Sequence, residues 1–294
     1  MHHGNKSEIL DCIVPRDLDK HRPVTTAAVL DGAVLVQMLR PGGAVTTGQY
    51  FTDVLAPYIL SWFDRNNRID IVWDVYSKTS LKSDIREQRG TGARRRVTLS
   101  TKVPGNWAAF LRVDLNKQEL FVELAKSLKH MTFPQGKELF TTIRDGCVTS
   151  TAGINTNALA PCTQEEADTR LFLHVAAATL AGHRRVMVRS SDSDVVVYIP
   201  AHAIAHSLGP SKAMALPAFQ ALTGCDTTSA FFGKGKKTAW SVWQSMPELT
   251  LPLLLLSGPS PTTEIIKTST PILQRFVLKL YGVSKDDIRT EDAA

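Results

Sequence analysis

The sequence predicts an α/β domain built around a mostly parallel sheet. Three observations carry that expectation. Short apolar runs, "AAVL", "IDIVW", "RVMV" and "VVVY", alternate with longer segments whose apolar residues recur every three or four positions. Strands and helices that alternate in this way pair in parallel, with helices packed on the sheet. The composition is that of an ordinary globular chain: 294 residues, 43% hydrophobic and 21% charged, enough for one large domain or two small ones. Finally, an acidic residue recurs where the apolar runs end.

Taken in order, residues 1–25 are polar with scattered prolines and read as a loosely ordered lead-in. "TTAAVLDGAVLVQML" reads as strand, turn and helix, with Asp31 at the turn. "GQYFTDVLAPYILSWFDRN" is amphipathic and helical, with a kink expected at Pro57. "RIDIVWDVYS" is a second buried strand ending on Asp74. The stretch "SLKSDIREQRGTGARRRVTLS" is polar and basic. "NKQELFVELAKSLKH" opens a helix at Asn116, and "GKELFTTIRDGCVTS" has β character. "TQEEADTRLFLHVAAATLAGH" is a helix capped by Thr163, with Glu166 three residues on and Gly182 near its end. "RRVMVRSS" and "VVVYIP" are strands flanking Asp192 and Asp194. "SKAMALPAFQALTGCD" is a helix leading to Asp226, and "TEIIKTSTPILQRFVLKLYG" is a closing helix with an apolar face.

Several function classes are excluded or disfavoured. No apolar run reaches the ~18–20 residues that span a bilayer, and the N-terminus lacks the layout of a signal peptide, so an intracellular protein with no membrane partner is expected. Cys12, Cys147, Cys162 and Cys225 contain no C-x-x-C pair, which argues against zinc and for free thiols. His202 and His206 lack the H-E-x-x-H pattern and read as packing or surface histidines. "GKGKKT" departs from the P-loop, because Lys236 stands where its last glycine belongs and a helix, not a strand, precedes it. Lys and Arg outnumber Asp and Glu by 34 to 28, a net charge of +6 that favours a polyanionic partner.

The acids carry the functional reading. Asp31, Asp74, Asp192 and Asp194 all fall at or just past the C-terminal end of a predicted strand, the edge where ligands of such sheets bind. Each alone reads as a turn or cap residue. Together they predict an acidic pocket, and packed carboxylates call for a hard divalent cation as counter-charge.

With these motifs in order, the chain resembles the flap endonuclease and 5′-nuclease superfamily, whose fold is PIN-like. The resemblance runs over roughly residues 26–245. It rests on Asp31 in "VLDG", Asp74 in "VWDV", Glu166 and Asp168 in "EEADTR", Asp192 and Asp194 in "SSDSDVVVY", and Asp226 in "TGCDTTSAF". It implies a three-layer fold, a central, mostly parallel twisted sheet with helices on both faces, followed by a helix–two-turn–helix hairpin. It also implies that these seven acids hold two Mg2+ or Mn2+ ions. The family hairpin core is matched by "GKGKKTA", which makes Gly233, Lys234, Gly235, Lys236 and Lys237 candidate DNA contacts, with Ala239 completing the motif. Lys82 and Arg89 in "LKSDIREQR" correspond to the catalytic pair at the base of the family's arch. Arg94, Arg95 and Arg96 are candidates for an arch-borne phosphate contact, a nuclear address or a solvated loop.

The implied activity is a metal-dependent phosphodiesterase that cleaves DNA, in preference to RNA, in the manner of a flap endonuclease or 5′-exonuclease, in the nucleus. The alternative is a catalytically inactive PIN-like module that binds nucleic acid or another protein. The expected layout is a lead-in (1–25), a nuclease domain (26–245) with an arch-like insertion (82–160) and DNA-binding hairpin (222–245), and a helical tail (246–294). The family's M-G-I start is absent, and the segment of about 100–160 is longer than the family's and reads as an elaborated arch.

Overall fold

A computed structural model of the chain describes residues 8–13, 24–75, 93–144, 146–149, 151, 154–162, 167–191, 195, 208–225, 228–258 and 260–283. The chain divides into two compact units, His21–Ser191 and a second made of Met1–Lys20 with Asp192–Ala294.

The first unit is α/β. Its sheet has the order β4-β3-β2-β1-β5, with β1 Ala27–Asp31, β2 Arg68–Val72, β3 Glu138–Ile143, β4 Gly146–Thr149 and β5 Val186–Arg189. β5, β1, β2 and β3 run parallel, and β4 returns antiparallel to β3. Every residue of β1 and β2 is buried, as expected of strands covered on both faces. Alternate side chains serve the two faces. Ala28, Leu30, Ile69, Ile71 and Leu139 join one core with Leu120, Phe121, Leu124 and Leu128 of a long helix, labelled α6 below. Phe140 and Cys147 face a smaller cluster with Leu173 and Ala177 of a helix on the opposite side, α7.

The helices follow from their local chemistry. α1 is Glu8–Ile13, and α2, Gly32–Met38, starts directly on Asp31, whose carboxylate caps it. α3, Thr47–Tyr50, opens with a capping box between Thr46 and Gln49. A π-helical turn, Phe51–Leu55, then leads into α4, Ala56–Trp62. The expected disturbance at Pro57 takes this form: proline has no N–H for the α ladder, and a wide turn just before it makes room for its ring. α5 is Trp107–Leu111 and α6 is Asp114–Lys129. Asn116 does not cap α6. It lies inside the first turn, fully buried, accepting from the Arg95 N–H at 2.8 Å and donating to the Ala93 carbonyl at 3.0 Å. α7 is Ala167–Leu180, and the predicted cap Thr163 lies outside the described residues.

The segment of about 100–160 is not an elaborated arch. α6 covers one face of the sheet and β3 and β4 extend the sheet itself, because their apolar residues complete the same core. Residues 82–92 of the expected insertion lie outside the described residues.

The second unit is helical among its described residues. α8 is Pro210–Leu222, α9 Lys236–Gln244, α10 Thr250–Leu256 and α11 Thr263–Tyr281, which ends on Gly282 in the left-handed conformation. Phe219 stacks on Trp243 at 4.7 Å, and Leu253, Phe276 and Leu280 complete the core. The expected boundary at 246 therefore falls inside one core, because the hairpin and the tail bury the same aromatic rings. The lead-in contributes as well, since Ile9 and Ile13 of α1 are buried there. The predicted strand "VVVYIP" lies almost wholly outside the described residues. No described helix is long and apolar enough to cross a membrane, and none of the four cysteines forms a disulfide.

Candidate functional site

The site is built at the C-terminal edge of β1, β2 and β5. Asp31 is the last residue of β1 and is 6% exposed. Its Oδ1 accepts from the Ala33 N–H at 2.9 Å and the Val34 N–H at 3.2 Å, and its Oδ2 accepts from the Ser190 hydroxyl at 3.1 Å. Burial, and then the nearby charge of Asp74, push the Asp31 carboxyl up to about 7, although those hydrogen bonds pull the other way.

Asp74 lies two residues beyond β2, which is paired with β1 in the register Asp31↔Val72. Its Oδ1 accepts from the Ala167 N–H at 2.8 Å. Ala167 opens α7, so the carboxylate meets the positive end of a helix. That contact brings Ala167, the middle residue of "EAD", to Asp74, with Asp168 as the second residue of the helix. Ser190 follows β5 directly and stands two residues before Asp192.

Two neighbours fix this edge. Gly32 has no side chain because the Trp73 ring occupies its place: a Cβ there would lie 2.2 Å from the ring. Trp73 is held by Thr141 and Thr142, which accept from its indole N–H at 3.0 Å and its backbone N–H at 2.8 Å. On the opposite face, buried Asp70 accepts two hydrogen bonds from Arg68, at 2.7 and 2.9 Å, and meets His174 Nδ1 of α7 at 2.7 Å. Arg68 also lies 4.1 Å above the Phe140 ring. Arg170 of α7 is buried and donates to the carbonyls of Arg144 and Gly146 at the β3–β4 turn.

Of the seven predicted ligands, Asp31 and Asp74 are brought to one edge and Asp168 is placed at the adjoining helix start. Glu166, Asp192, Asp194 and Asp226, and the side chain of Asp168, lie outside the described residues, as do Lys82 and Arg89. Among the described residues no group of three or more metal-ligating side chains is assembled. The described donors are all oxygens, and Asp31 and Asp74 accept hydrogen bonds from the Ala33, Val34 and Ala167 N–H groups and the Ser190 hydroxyl; oxygen donors suit a hard divalent cation.

The glycine-rich hairpin differs from expectation at one residue. Lys236 is 4% exposed, and its ammonium donates to the Gln220 carbonyl at 3.0 Å and to Thr223 Oγ1 at 2.7 Å. It neutralises the C-terminal end of α8 and cannot reach a phosphate from there. Gly233 has φ +68°, the left-handed turn that a glycine permits. Gly235 precedes α9 and provides no side-chain cap, and a Cβ on it would lie 3.0 Å from Glu8 Oε2. Lys234 lies 5.2 Å above the Tyr281 ring, and exposed Lys237 pairs with Asp11 of α1 at 2.8 Å. Two acids of α1 thus sit against the residues expected to meet a nucleic-acid backbone.

Arg94, Arg95 and Arg96 are all exposed. Arg94 is engaged by Glu119 and Asn116, and the Glu119 carboxylate also accepts from the Val97 N–H at 2.7 Å. Ser190, the Asp70–Arg68–His174 cluster and the α1 acids were missed in the sequence. For Asp70 a signal existed: two opposite charges at i and i+2 inside an apolar strand face the same side and can pair.

Neither a family model, nor a curated protein, nor a solved structure matches this chain.

Proposed function

We propose that the chain is a divalent-metal-dependent nuclease of the PIN-like class, cleaving phosphodiester bonds of DNA as flap endonucleases and 5′-exonucleases do. The observation that carries this reading is the convergence of separate motif segments on one sheet edge. Asp31 ends β1, Asp74 follows β2, the helix start bearing Asp168 binds Asp74, and Ser190, just ahead of Asp192, binds Asp31. The raised affinity of Asp31 for a proton supports it further, because a carboxyl that is hard to ionise alone is one a cation would hold ionised.

Asp31, Asp74 and Asp168 would hold a cation, and the motif order adds Glu166, Asp192, Asp194 and Asp226. Bound Mg2+ or Mn2+ supplies Lewis-acid stabilisation of the phosphoryl group and a water acidic enough to attack at neutral pH. The chain's own residues prepare the site. Ala33 and Val34 fix one oxygen of Asp31, Ser190 orients the other, and Ala167 orients Asp74. Lys82 and Arg89 would neutralise charge on the phosphate. In the hairpin, Lys234 and Lys237 remain as cations for the duplex backbone, while Lys236 serves the fold. Nuclear localisation belongs to the same proposal and rests on the basic run Arg94–Arg96.

The test is cleavage of labelled 5′-flap DNA, with single-stranded DNA and RNA alongside, in Mg2+, Mn2+ or EDTA. Cutting that needs the metal and disappears in Asp192→Asn/Asp194→Asn supports the reading. Salt-sensitive binding without cutting in any metal overturns it in favour of an inactive nucleic-acid-binding module.

A further inference from the structure

Arg144 stands at the C-terminal end of β3, in the turn to β4. The β2–β3 register pairs Ile71 with Thr141, so Arg144 lies level with Asp74, each three residues beyond its partner. The backbone of Arg144 is left-handed, with φ +51°, and no other described non-glycine residue has positive φ. A bulky side chain is disfavoured in that conformation, and glycine or asparagine would make the same turn with less strain. The turn is nevertheless held firmly. Buried Arg170 of α7 donates to the Arg144 carbonyl and, at 2.7 Å, to the Gly146 carbonyl.

The side chain has no comparable employment. It is exposed, and its guanidinium forms no hydrogen bond or ion pair among the described residues. It lines a small cavity of about 10 Å3 together with Asp74 and Trp73. It also lines the neighbouring outer cleft, which reaches Arg96 and Lys126, and the two share Val75, Gln118 and Val122 as well. A strained arginine thus stands where the acidic edge opens into a groove.

We propose that Arg144 is a phosphate-contacting residue of the candidate site, binding the nucleic-acid strand next to Asp74. A planar guanidinium with two parallel donors matches two phosphate oxygens, and a turn locked by Arg170 presents it without further ordering. This inference rests on the nuclease reading for its ligand, and its test is separate.

The experiment is binding of a fluorescein-labelled single-stranded DNA oligonucleotide to the full chain in Ca2+ over a KCl series, with thermal melting of each variant. Arg144→Gly relieves the left-handed strain, so it should melt at or above the wild-type temperature. It should bind about tenfold more weakly, with a salt slope reduced by about 0.7, the share of one phosphate contact on a single strand. Arg144→Lys, which keeps the charge but not the two parallel donors, should restore the salt slope and only part of the affinity. Unchanged binding and slope in Arg144→Gly, or no binding by the wild-type chain, would overturn the proposal. Cleavage in Mn2+ is read on the same samples. A binding loss in Arg144→Gly without wild-type cutting would sink the nuclease reading and leave the contact standing.

Discussion

Asp31 is where burial and function pull in opposite directions. Its carboxyl titrates near 3.8 when unfolded and is pushed up to about 7 in the fold, by burial first and the Asp74 charge second. Between those values the folded chain holds a proton that the unfolded chain has lost. The stability contributed by this group is therefore complete below about pH 4 and is lost as pH rises through 7, up to about 4 kcal/mol at ~1.4 kcal/mol per unit. Asparagine caps helices as well as aspartate does, so Asp31→Asn should keep the α2 cap and remove the buried charge. In EDTA at pH 8 the variant should melt above the wild-type chain and show a weaker pH dependence between 5 and 8. A variant that melts lower at pH 8 would mean that the ionised carboxylate stabilises the fold by itself.

At the scale of elements, α7 is fastened to the sheet at three heights: Ala167 to Asp74, Arg170 to the β3–β4 turn, and His174 to Asp70. The lowest fastening is a buried charge cluster. Asp70→Asn leaves Arg68 buried without its counter-charge and should cost about 3–5 kcal/mol in urea unfolding, against less than 1 kcal/mol for an exposed pair such as Lys126–Glu123. A loss below 1 kcal/mol would show that Arg68 finds another partner. α1 offers a different test. Glu8 and Asp11 lie where the hairpin would face phosphates, so Glu8→Gln/Asp11→Asn should tighten duplex DNA binding and steepen its salt dependence. Unchanged affinity would remove the hairpin from the binding surface. Most of these elements were legible in sequence, because β1, β2, β5, α6, α7 and α11 are set by local periodicity. The caps and the role of 100–160 were not. Asn116 looks like a cap in sequence, and only tertiary packing turns it into a buried clamp on residues 93–95.

For the whole molecule, the sequence made the sheet edge legible because a parallel sheet collects the ends of its strands, and acids at those ends need no tertiary information to be noticed. Lys236 was misread for the opposite reason. A lysine in a glycine-rich loop has the composition of a phosphate contact, and only the fold turns it inward onto α8. Arg144 was invisible because neither periodicity nor a motif marks a left-handed turn occupied by arginine. The central proposal is that the edge holding Asp31 and Asp74 binds the cation that drives strand cleavage. The most direct measurement is single-turnover cleavage of labelled 5′-flap DNA in saturating Mn2+ by the wild-type chain and by Asp31→Asn, with melting of both in EDTA. Asp31→Asn should be at least as stable as wild type and slower by about a hundredfold or more. Wild-type cleavage rates in a well-folded Asp31→Asn would contradict the proposal.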